Sequence, residues 1–405
     1  MYAITKSCFT DTPYFAYEMK TYLLVSPQPW GKMYLSKHNY AIELAEAGNK
    51  VYFLNPPTYK TVSGAFTFLT KEVLPNVILV DYYLSKTLHA LRFKARSVYD
   101  FIMRRTFFKQ LNKLDQFDEI WCFEPNAFSN FRGLHPKKKL LFIVDQHDNN
   151  TLKKLADDAD GIATISSLIL EYFSFSNKPK LLLNHGLNRT FAALAKERLQ
   201  KGLAYTLTKP AKVAYVGNLL QGDRMDYLTI QKIIEQNPEA EFHFYGPYEE
   251  KENTLGSNTS QGLHGFLQFL KTSPAVRLHG VLPQTELAVR MQEIDLFLTC
   301  YNYLTDYNKS SNCHKIIEYL STGKACVSNR IIMYENTEGL LQMPAEYTNE
   351  KLPELFRHVL TNLGEYNAPE RQARRIEFAL QNTYRKHIET IDRFNASQTA
   401  ALQSA

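Results

Sequence analysis

The chain has 405 residues, of which 44% are hydrophobic and 22% are charged, and this length favours a globular protein of two domains. Its formal net charge of +6 is too small to indicate a nucleic-acid-binding protein by charge alone. Five scattered cysteines without a CxxC pair argue against a structural zinc site, and no run approaches the roughly 18 apolar residues of a membrane span, so we expect a cytoplasmic protein.

The chain opens with a predicted strand, helix and second strand. Residues 1–20 lack the apolar core of a signal peptide. Residues 22–26 form a short apolar run typical of a buried strand, and the apolar spacing then predicts a helix over residues 37–47, capped by Ser36. A glycine ends this helix, and residues 51–54 return as a strand. This alternation predicts the first unit of an α/β sheet.

A basic and aromatic stretch, residues 88–114, lies between strands predicted at 77–82 and 119–123. It contains seven Lys and Arg residues against Asp100 alone, with apolar residues interleaved. One interpretation is an amphipathic helix on an anionic membrane, where each basic residue contributes about 1 kcal/mol. The other is one or two ordinary helices with a solvated basic face. Nucleic acid fits less well, because no recognition motif accompanies the stretch.

Polar residues follow the next predicted strand, residues 140–144. Asp145, His147 and Asp148 stand at its carboxyl end, where α/β enzymes place catalytic groups. Carboxylates and histidines are also the side chains most used in general acid–base catalysis. The alternative is that Asp145 caps the following helix. The DxD sequence at 158–160 formally matches a metal-binding motif, but it precedes a strand and we interpret it as a turn.

The second half of the chain predicts another α/β unit after a linker within residues 197–209. A strand at 213–216 opens this unit and runs into Gly217 and Asn218, where a glycine turn could offer amides to a phosphate. Arg224 is the nearest strong cation. The other predicted elements are strands at 159–166, 180–184, 241–246, 276–280, 294–300 and 325–328, a helix capped by Asp226, a helix at 283–293, a flexible insertion at 255–264 and a long helix at 371–391.

The most specific local pattern begins at the polar loop of residues 301–313. A helix with apolar residues at helical spacing follows from His314, and Gly323 suits the left-handed position after its end. The loop and the start of the helix would line the crevice beyond the ends of the parallel strands. The residues that could cap this helix are Ser310, Ser311 and Asn312.

The first two turns of this helix have the chemistry of a nucleotide site. A helix N-terminus attracts phosphate, and Lys315 adds a full positive charge there. Glu318 lies about one turn further along the same face, where its carboxylate could accept two hydrogen bonds from the vicinal diol of a ribose. The alternative is an ordinary surface ion pair between the two side chains, worth a few tenths of a kcal/mol.

The run at 315–327, KIIEYLSTGKACV, resembles the donor-nucleotide signature of GT-B glycosyltransferases. It is close to the form K-x-x-E-Y-L-A-x-G-K-P-V-V of the bacterial family-four-like enzymes, in which the Glu binds the ribose and the cation serves the diphosphate. Two departures stand out, since Ser310 replaces a further Glu of many members and Ala325 replaces the usual Pro. The resemblance extends more weakly over nearly the whole chain.

This resemblance implies an α/β fold of two Rossmann-like domains with parallel sheets facing a central cleft. The expected limits are 1–200 for an acceptor-side domain and 201–370 for a nucleotide-sugar-binding domain. Residues 371–405 are then a helix that packs back on the first domain, followed by a tail. The family reaction proceeds without a metal ion, and no cofactor is expected.

The resemblance also assigns roles to particular residues. Asp145, with His147, is the catalytic candidate near the acceptor hydroxyl. The expected donor-binding residues are Gly217, Asn218, Arg224, Ser310, Ser311, Lys315 and Glu318. The first loop of the fold faces the cleft, which makes Trp30, Gly31, Lys32 and His38 candidates for the acceptor side. Taken singly, each of these four fits an ordinary solvated loop residue better.

The function implied is a hexosyltransferase that moves a sugar from a nucleotide-diphospho-sugar to a glycan or lipid-linked acceptor in bacterial surface-polysaccharide assembly. The family favours retention at the anomeric carbon, while Ser310 and Asp145 leave inversion open. Residues 88–114 could hold the protein on the inner membrane face. Two alternatives stay open, namely a non-catalytic GT-B-like binding subunit, favoured by Ser310, and a sugar-nucleotide epimerase on the same fold.

Overall fold

The computed structural model describes residues 19–31, 34–59, 66–145, 150–207, 209–249, 261–303, 305 and 312–403. These residues form two sheets, each built mainly from parallel strands with helices packed against them. None of the helices in these ranges is long and apolar enough to cross a membrane. The arrangement confirms the predicted α/β fold class with two Rossmann-like units.

The first sheet is made by the strands of the first half of the chain. They are β1 (Thr21–Val25), β2 (Lys50–Leu54), β3 (Thr58–Tyr59), β4 (Phe66–Leu74), β5 (Val77–Leu84), β6 (Glu119–Cys122), β7 (Lys138–Ile143), β8 (Gly161–Thr164) and β9 (Lys180–Leu182). Their order is β3-β5-β2-β1-β6-β7-β8-β9 with parallel pairing, and β4 pairs antiparallel with β5. Every strand predicted in this half is present, whereas β3 and β4 have no counterpart in the prediction.

The central strands of this sheet are buried on both faces, which explains their unbroken apolar runs. In β1, Tyr22 and Leu24 pack into one hydrophobic core, and Leu23 and Val25 pack into the core on the opposite face. Helices therefore have to cover both faces. In chain order they are α1 (Ser36–Glu46), α2 (Lys86–Lys94), α3 (Arg96–Arg105), α4 (Phe107–Leu114), α5 (Asn150–Asp158) and α6 (Ser167–Tyr172).

The basic stretch at 88–114 is divided among three short helices, α2, α3 and α4, and is not one continuous amphipathic helix. The helices are separated at Ala95 and Thr106, whose φ values of −144° and −119° are not helical. Phe107 and Phe108 are buried in the core on one face of the sheet. The prediction of a single helix, or of two, is therefore wrong in its extent.

The second sheet contains five strands among the described residues. They are β10 (Ala211–Val216), β11 (Ala240–Tyr245), β12 (Val276–Gly280), β13 (Leu296–Thr299) and β14 (Ala325–Ser328), in the order β12-β11-β10-β13-β14. The helices of this half are α7 (Arg189–Lys201), α8 (Tyr227–Gln236), α9 (Gln261–Thr272), α10 (Gln284–Met291), α11 (His314–Ser321), α12 (Leu352–Thr361), α13 (Leu363–Tyr366), α14 (Pro369–Gln381) and α15 (Tyr384–Gln403). All five strands occur where the sequence predicts them.

Two connections were predicted in this half, and only the second is wrong in extent. Helix α7 continues to Lys201, packs Phe191 into the core around the second sheet, and is followed by β10 from Ala211, so the connection starts inside the region 197–209 predicted to contain the linker. The insertion predicted at 255–264 overlaps α9, which begins at Gln261, and its residues 255–260 lie outside the described part of the chain.

The long helix predicted at 371–391 is two helices, α14 and α15. Helix α14 ends at Gln381, and Thr383 then forms an isolated parallel bridge with Leu187. Helix α15 returns to the first sheet, where Tyr384 and Ile391 join the core that also contains Leu24. The prediction that the C-terminal helix crosses back to the first domain is confirmed.

The helix caps predicted from the sequence are confirmed only in part. Asp226 caps α8 as predicted, since its Oδ1 accepts a hydrogen bond from the Thr229 N–H at 3.1 Å. Gly323 has a φ of 76° and ends α11 in the left-handed conformation, also as predicted. Ser36 was predicted to cap α1, but it is the first helical residue. The cap position belongs to Leu35, whose N–H donates to Nδ1 of His38 at 3.0 Å.

Candidate functional site

The carboxyl ends of β10, β11 and β12 meet in a set of glycine turns. The Gly217 N–H donates to the Tyr245 carbonyl at 2.7 Å, and the Gly246 N–H donates to the Gly280 carbonyl at 2.8 Å. A side-chain carbon at Gly246 would overlap the Gly217 carbonyl. Backbone therefore packs directly against backbone at this edge of the second sheet. Because glycine has no side chain, these turns also present no side chain of their own to an approaching ligand.

Lys315 lies in the first turn of α11 and reaches over the Gly217 turn. Its Nζ donates to the hydroxyl oxygens of Tyr215 and Tyr301, each at 2.7 Å. A side-chain carbon at Gly217 would overlap the Lys315 ammonium, so the glycine makes room for the charge. The structure thus brings together two of the predicted donor-binding residues, Gly217 and Lys315.

The two tyrosines are absent from the sequence prediction. Tyr215 lies two residues before Gly217 in an extended strand, and residues two apart share a face, so the sequence contained a signal for it. Tyr301 lies at the start of the polar loop after β13, and nothing in its local sequence distinguishes it from the other tyrosines there.

Glu318 lies one turn beyond Lys315, and its side chain is only 10% exposed. Burial raises the pKa of its carboxyl to about 8, although the charge of Lys315 acts in the opposite direction. Among the described residues no group donates a hydrogen bond to this carboxyl, and Nδ1 of His314 lies 3.8 Å from Oε1. A buried carboxyl without a donor is unfavourable, and it suits a ligand that supplies hydroxyl groups.

The surface ion pair considered as the alternative for this helix is therefore wrong. Glu318 is buried, and Lys315 is held by two phenol oxygens rather than by the carboxylate. The cation lies at the start of the helix, and the carboxyl lies one turn further in.

The other predicted donor-binding residues flank the same edge of the sheet. The Oδ1 of buried Asn218 accepts a hydrogen bond at 2.8 Å from the backbone N–H two residues on, which stabilises the loop. Arg224 is half-buried in a short 3-10 turn, and its carbonyl accepts from the Asn302 N–H at 2.8 Å. Ser310 and Ser311 lie outside the described residues.

Asp145 lies just beyond β7 at the carboxyl edge of the first sheet and is exposed. The residues between Asp145 and α5, 146–149, lie outside the described part of the chain, so the alternative that Asp145 caps this helix stays a prediction. His147 and Asp148 lie outside the described residues. The two carboxylates of the DxD sequence are used within the fold: Oδ2 of Asp160 accepts the Lys139 N–H at 2.8 Å, and Oδ2 of Asp158 likewise accepts a backbone N–H at 2.8 Å.

Lys37 is a buried cation at the same edge that the sequence prediction missed. Burial lowers the pKa of its ammonium to about 8, and the charges of Asp145 and Glu124 act in the opposite direction. Its Nζ donates to the side-chain oxygen of Gln28. A positive charge in the first turn of a helix opposes the helix dipole, and this unfavourable position, directly after a loop predicted to face the cleft, is the sequence signal that could have revealed it.

The loop between β1 and α1 packs around the aromatic rings of Trp30 and His38. His38 is buried: Nδ1 accepts the Leu35 N–H at 3.0 Å, and Nε2 lies 3.2 Å from the Pro29 carbonyl, to which it donates in the matching tautomer. Burial lowers the pKa of His38 to about 4, so the ring is neutral. Trp30 packs on this ring with centroids 5.4 Å apart. Gly31 is exposed, and Lys32 lies outside the described residues.

Asn312 connects the two sheets directly before α11. Its Nδ2 donates to the Ile165 carbonyl at 2.6 Å and to Oδ1 of Asn184 at 3.0 Å. The amide of Asn184 in turn contacts the Tyr334 hydroxyl at 3.2 Å. Asn312 was a predicted helix cap, and the correction is that Cys313 occupies the cap position without a side-chain hydrogen bond. The start of α11 is thus attached to the carboxyl edge of the first sheet.

Comparisons with known proteins give a match in fold. No protein-family model matches the chain, and a search of curated proteins found no match. A sucrose-phosphate synthase from Thermosynechococcus elongatus is 14% identical, with 94% of this chain and 100% of that chain covered and a TM-score of 0.66. An α,α-trehalose-phosphate synthase (UDP-forming) from Burkholderia xenovorans, in complex with glucose-6-phosphate, is 12% identical, with 93% and 100% covered and a TM-score of 0.60.

A third match is an E. coli structure described as trehalose-6-phosphate bound with UDP-2-fluoro glucose. It is 12% identical, covers 92% of this chain and 98% of its own, and has a TM-score of 0.58. The matches span both sheets and the C-terminal helices, so the chain has the GT-B fold. At these identities the similarity concerns the fold, and the activity has to be argued from the site.

Proposed function

We propose that this protein is a glycosyltransferase that moves a hexose from a nucleotide-diphospho-sugar to an acceptor hydroxyl. The observation that carries the proposal is the pair formed by Lys315, held over a glycine turn, and Glu318, a buried carboxyl without a donor among the described residues. An ammonium suits the diphosphate, and a carboxyl group suits the two hydroxyls of the ribose. Both residues also stand at the matching positions of the signature that the sequence resembles.

In the proposed reaction the bond between the anomeric carbon and the β-phosphate oxygen breaks, and the acceptor oxygen bonds to that carbon. The proton of the acceptor hydroxyl passes to the departing phosphate in a retaining reaction and to Asp145 in an inverting one. The electron pair of the broken bond stays on the diphosphate, which gains negative charge. Lys315 and the N–H groups at the start of α11 are placed to stabilise this charge, with Arg224 as a second cation. Because these groups supply positive charge, the proposal includes neither a metal ion nor a cofactor.

We propose UDP as the nucleotide. Two of the matched structures support this choice, one named as UDP-forming and the other as bound with UDP-2-fluoro glucose. Glucose-6-phosphate is bound in one of them, which makes a sugar phosphate the first acceptor to test. The proposed acceptor-side residues are Asp145, Lys37 and, from the part outside the described residues, His147.

The acceptor is proposed to be a sugar or glycan, with a lipid-linked glycan in polysaccharide assembly as the specific case. Support for the lipid-linked case comes from the surface of α2 and α3. Phe93 and Phe101 are 70% and 51% exposed there, beside Lys94 and Arg105. Aromatic side chains among cations suit the surface of an anionic membrane.

The first experiment measures thermal stabilisation by UDP, GDP and TDP and their glucose derivatives. We expect UDP and UDP-glucose to raise the Tm, and we expect Glu318→Ala to abolish the shift, because the ribose loses its acceptor. Glu365→Gln removes an exposed carboxylate of α13 and is the matched control. If no nucleotide changes the Tm of the unaltered protein, the proposal fails.

The second experiment measures UDP release with a panel of acceptors that includes glucose-6-phosphate, in the presence of a chelator. Transfer with retained or inverted anomeric configuration, distinguished by NMR of the product, decides the role of Asp145. UDP-glucose binding without transfer or hydrolysis would instead identify a non-catalytic binding subunit. Conversion of the sugar without any acceptor would identify an epimerase.

A further inference from the structure

The hydroxyl of Tyr215 lies in the same small space as the ammonium of Lys315. Its oxygen accepts from Lys315 at 2.7 Å. A side-chain carbon placed on Gly217 would lie 3.0 Å from this oxygen and would overlap the ammonium. The phenol and the ammonium therefore border the same open face of the Gly217 turn, although Tyr215 comes from β10 and Lys315 from α11.

The hydrogen-bond arrangement leaves one proton on each group for a ligand. An ammonium has three N–H donors, and two of those on Lys315 point at Tyr215 and Tyr301. A phenol oxygen that accepts from an ammonium keeps its own O–H to donate. Among the described residues nothing accepts the O–H of Tyr215, whereas the hydroxyl of Tyr301 also contacts Sγ of Cys313 at 3.6 Å.

We infer that Tyr215 is a direct ligand of the diphosphate of the donor, giving its O–H to a phosphate oxygen beside the third N–H of Lys315, and that Tyr301 is the residue that positions Lys315. This inference rests on the proposed function. It adds a neutral donor to a site in which the sequence signature contains only a cation. It also explains why two buried phenols converge on one lysine, since packing alone would be served by phenylalanine.

The surroundings make this donor effective. Tyr215 and Tyr301 are each 3% exposed, and the Lys315 ammonium lies 4.2 Å from the centre of the Tyr215 ring. Hydrogen bonds to a charged group are stronger in such a poorly hydrated place than in water. Because the phenol is fixed by its strand and by Lys315, it loses little freedom when a phosphate binds.

The test compares three tyrosine variants by calorimetric titration with UDP and with UMP, which lacks the terminal phosphate. Tyr215→Phe removes only the proposed ligand atom, and we expect UDP affinity to fall about tenfold, the usual loss for a hydrogen bond to a charged group. We expect a smaller loss for UMP, so the ratio of UDP to UMP affinity falls. Tyr301→Phe should lower UDP affinity about threefold, because Lys315 keeps one of its two partners.

Tyr319→Phe is the matched control. Its hydroxyl accepts the Val216 N–H at 2.8 Å in the same core, and it has no contact with Lys315. We expect it to leave the ratio of UDP to UMP affinity unchanged, even if it lowers the Tm. Gly217→Ala is a second variant, in which the new carbon would displace the Lys315 ammonium from the turn, and it should abolish UDP binding in a folded protein.

The outcomes separate this inference from the proposal on which it rests. If the unaltered protein binds UDP and Tyr215→Phe binds UDP equally well, the inference is wrong and the proposed function stands. A parallel loss for UDP and UMP in Tyr215→Phe also contradicts it, because that result indicates a general disturbance of the site. If the unaltered protein does not bind UDP, both fail.

Discussion

Glu318 lowers the stability of the folded protein at neutral and alkaline pH. Burial raises the pKa of its carboxyl from 4.5 to about 8, so between these two pH values the folded protein holds a proton that the unfolded chain has released. Stability therefore falls as the pH rises from about 4.5 to about 8. Each unit of pKa corresponds to about 1.4 kcal/mol, so the total is on the order of 5 kcal/mol.

The first prediction is that Glu318→Gln removes this pH dependence while it abolishes UDP binding. Glutamine fills the same space without ionising, so the variant should unfold with a higher free energy than the unaltered protein at pH 9. At pH 5 the two proteins should be closely similar. Urea unfolding at both pH values provides the measurement. Equal differences at pH 5 and pH 9 would show that Glu318 does not titrate as the structure indicates.

The contribution of Lys37 to the stability of the folded protein changes with pH in the opposite direction. Burial lowers the pKa of its ammonium from 10.5 to about 8, so the folded protein has lost a proton between these pH values that the unfolded chain keeps. Stability therefore rises as the pH increases from about 8 to about 10.5, and the full unfavourable effect is present below pH 8.

The second prediction concerns Lys37→Met, which keeps the length of the side chain and removes the charge. We expect the free energy of unfolding at pH 7 to increase by roughly 1–3 kcal/mol, UDP affinity to stay within about twofold, and sugar transfer to fall at least about tenfold. Urea unfolding, calorimetry and a transfer assay measure the three. Unchanged transfer would remove Lys37 from the acceptor side.

At the scale of elements, the short buried strands were predictable, whereas β3 and β4 were not. The strand β13 is buried at all four positions, Leu296–Thr299, and its unbroken apolar run marks it in the sequence. The strand β4, Phe66–Leu74, is half-buried or exposed throughout and contains polar residues, because it pairs only with β5. Its sequence therefore lacks the pattern that identifies a buried strand.

The interruptions between consecutive helices could not be predicted from the sequence either. No glycine or proline separates α2 from α3 or α3 from α4, so local propensity favours a continuous helix through Ala95 and Thr106. The break between α14 and α15 coincides with the bridge from Thr383 to Leu187, a partner almost 200 residues away. Interruptions of this kind are set by tertiary contacts, and a local pattern cannot show them.

The third prediction tests the exposed face of α2 and α3 as a membrane contact. Phe93→Ser combined with Phe101→Ser removes two exposed rings, and we expect binding to vesicles containing phosphatidylserine to fall at least about tenfold, since each ring contributes more than 1 kcal/mol on insertion. Sedimentation with vesicles is the measurement. Leu228→Ser, which removes an 81% exposed side chain from α8, is the control.

Two results would contradict this membrane contact. One is equal binding of the unaltered protein to neutral and anionic vesicles, which would remove the role of the basic residues. The other is unchanged binding of the double variant, which would show that the exposed rings on α2 and α3 do not insert. Transfer to a soluble acceptor should be unaffected by either substitution, because the rings of Phe93 and Phe101 contact side chains of α2 and α3 themselves.

At the scale of the whole molecule, the sequence indicated the two residues of the proposed donor half, Lys315 and Glu318, and missed the connection between the two sheets. Lys315 and Glu318 could be predicted because α11 carries both within one turn. Asn312 was predicted as a helix cap, since an asparagine before a helix usually has that role. Its actual partner is the carbonyl of Ile165, which directly follows β8 of the first sheet. No spacing within the loop of residues 301–313 reveals this contact.

The connection through Asn312 gives the helix of the donor site two attachments. Helix α11 packs into the core of the second sheet through Ile316 and Ile317, and its entrance is tied to the first sheet through Asn312 and Asn184. In the proposed function, donor binding depends on the first attachment only. Transfer depends on both, because the proposed acceptor-side residues Asp145 and Lys37 lie at the first sheet.

The fourth prediction follows from this division. Asn312→Ala removes two hydrogen bonds between the sheets, and because each contributes about 1 kcal/mol, we expect the transfer rate to fall roughly tenfold or more while UDP affinity changes less than about threefold. Hydrogen exchange should increase around residues 165 and 184 in the variant. Asn362→Ala, which removes a hydrogen bond within the second domain, should leave both quantities unchanged. If UDP affinity and transfer fall together, Asn312 acts by holding α11 for the donor, and the two halves of the site do not depend on it for their alignment.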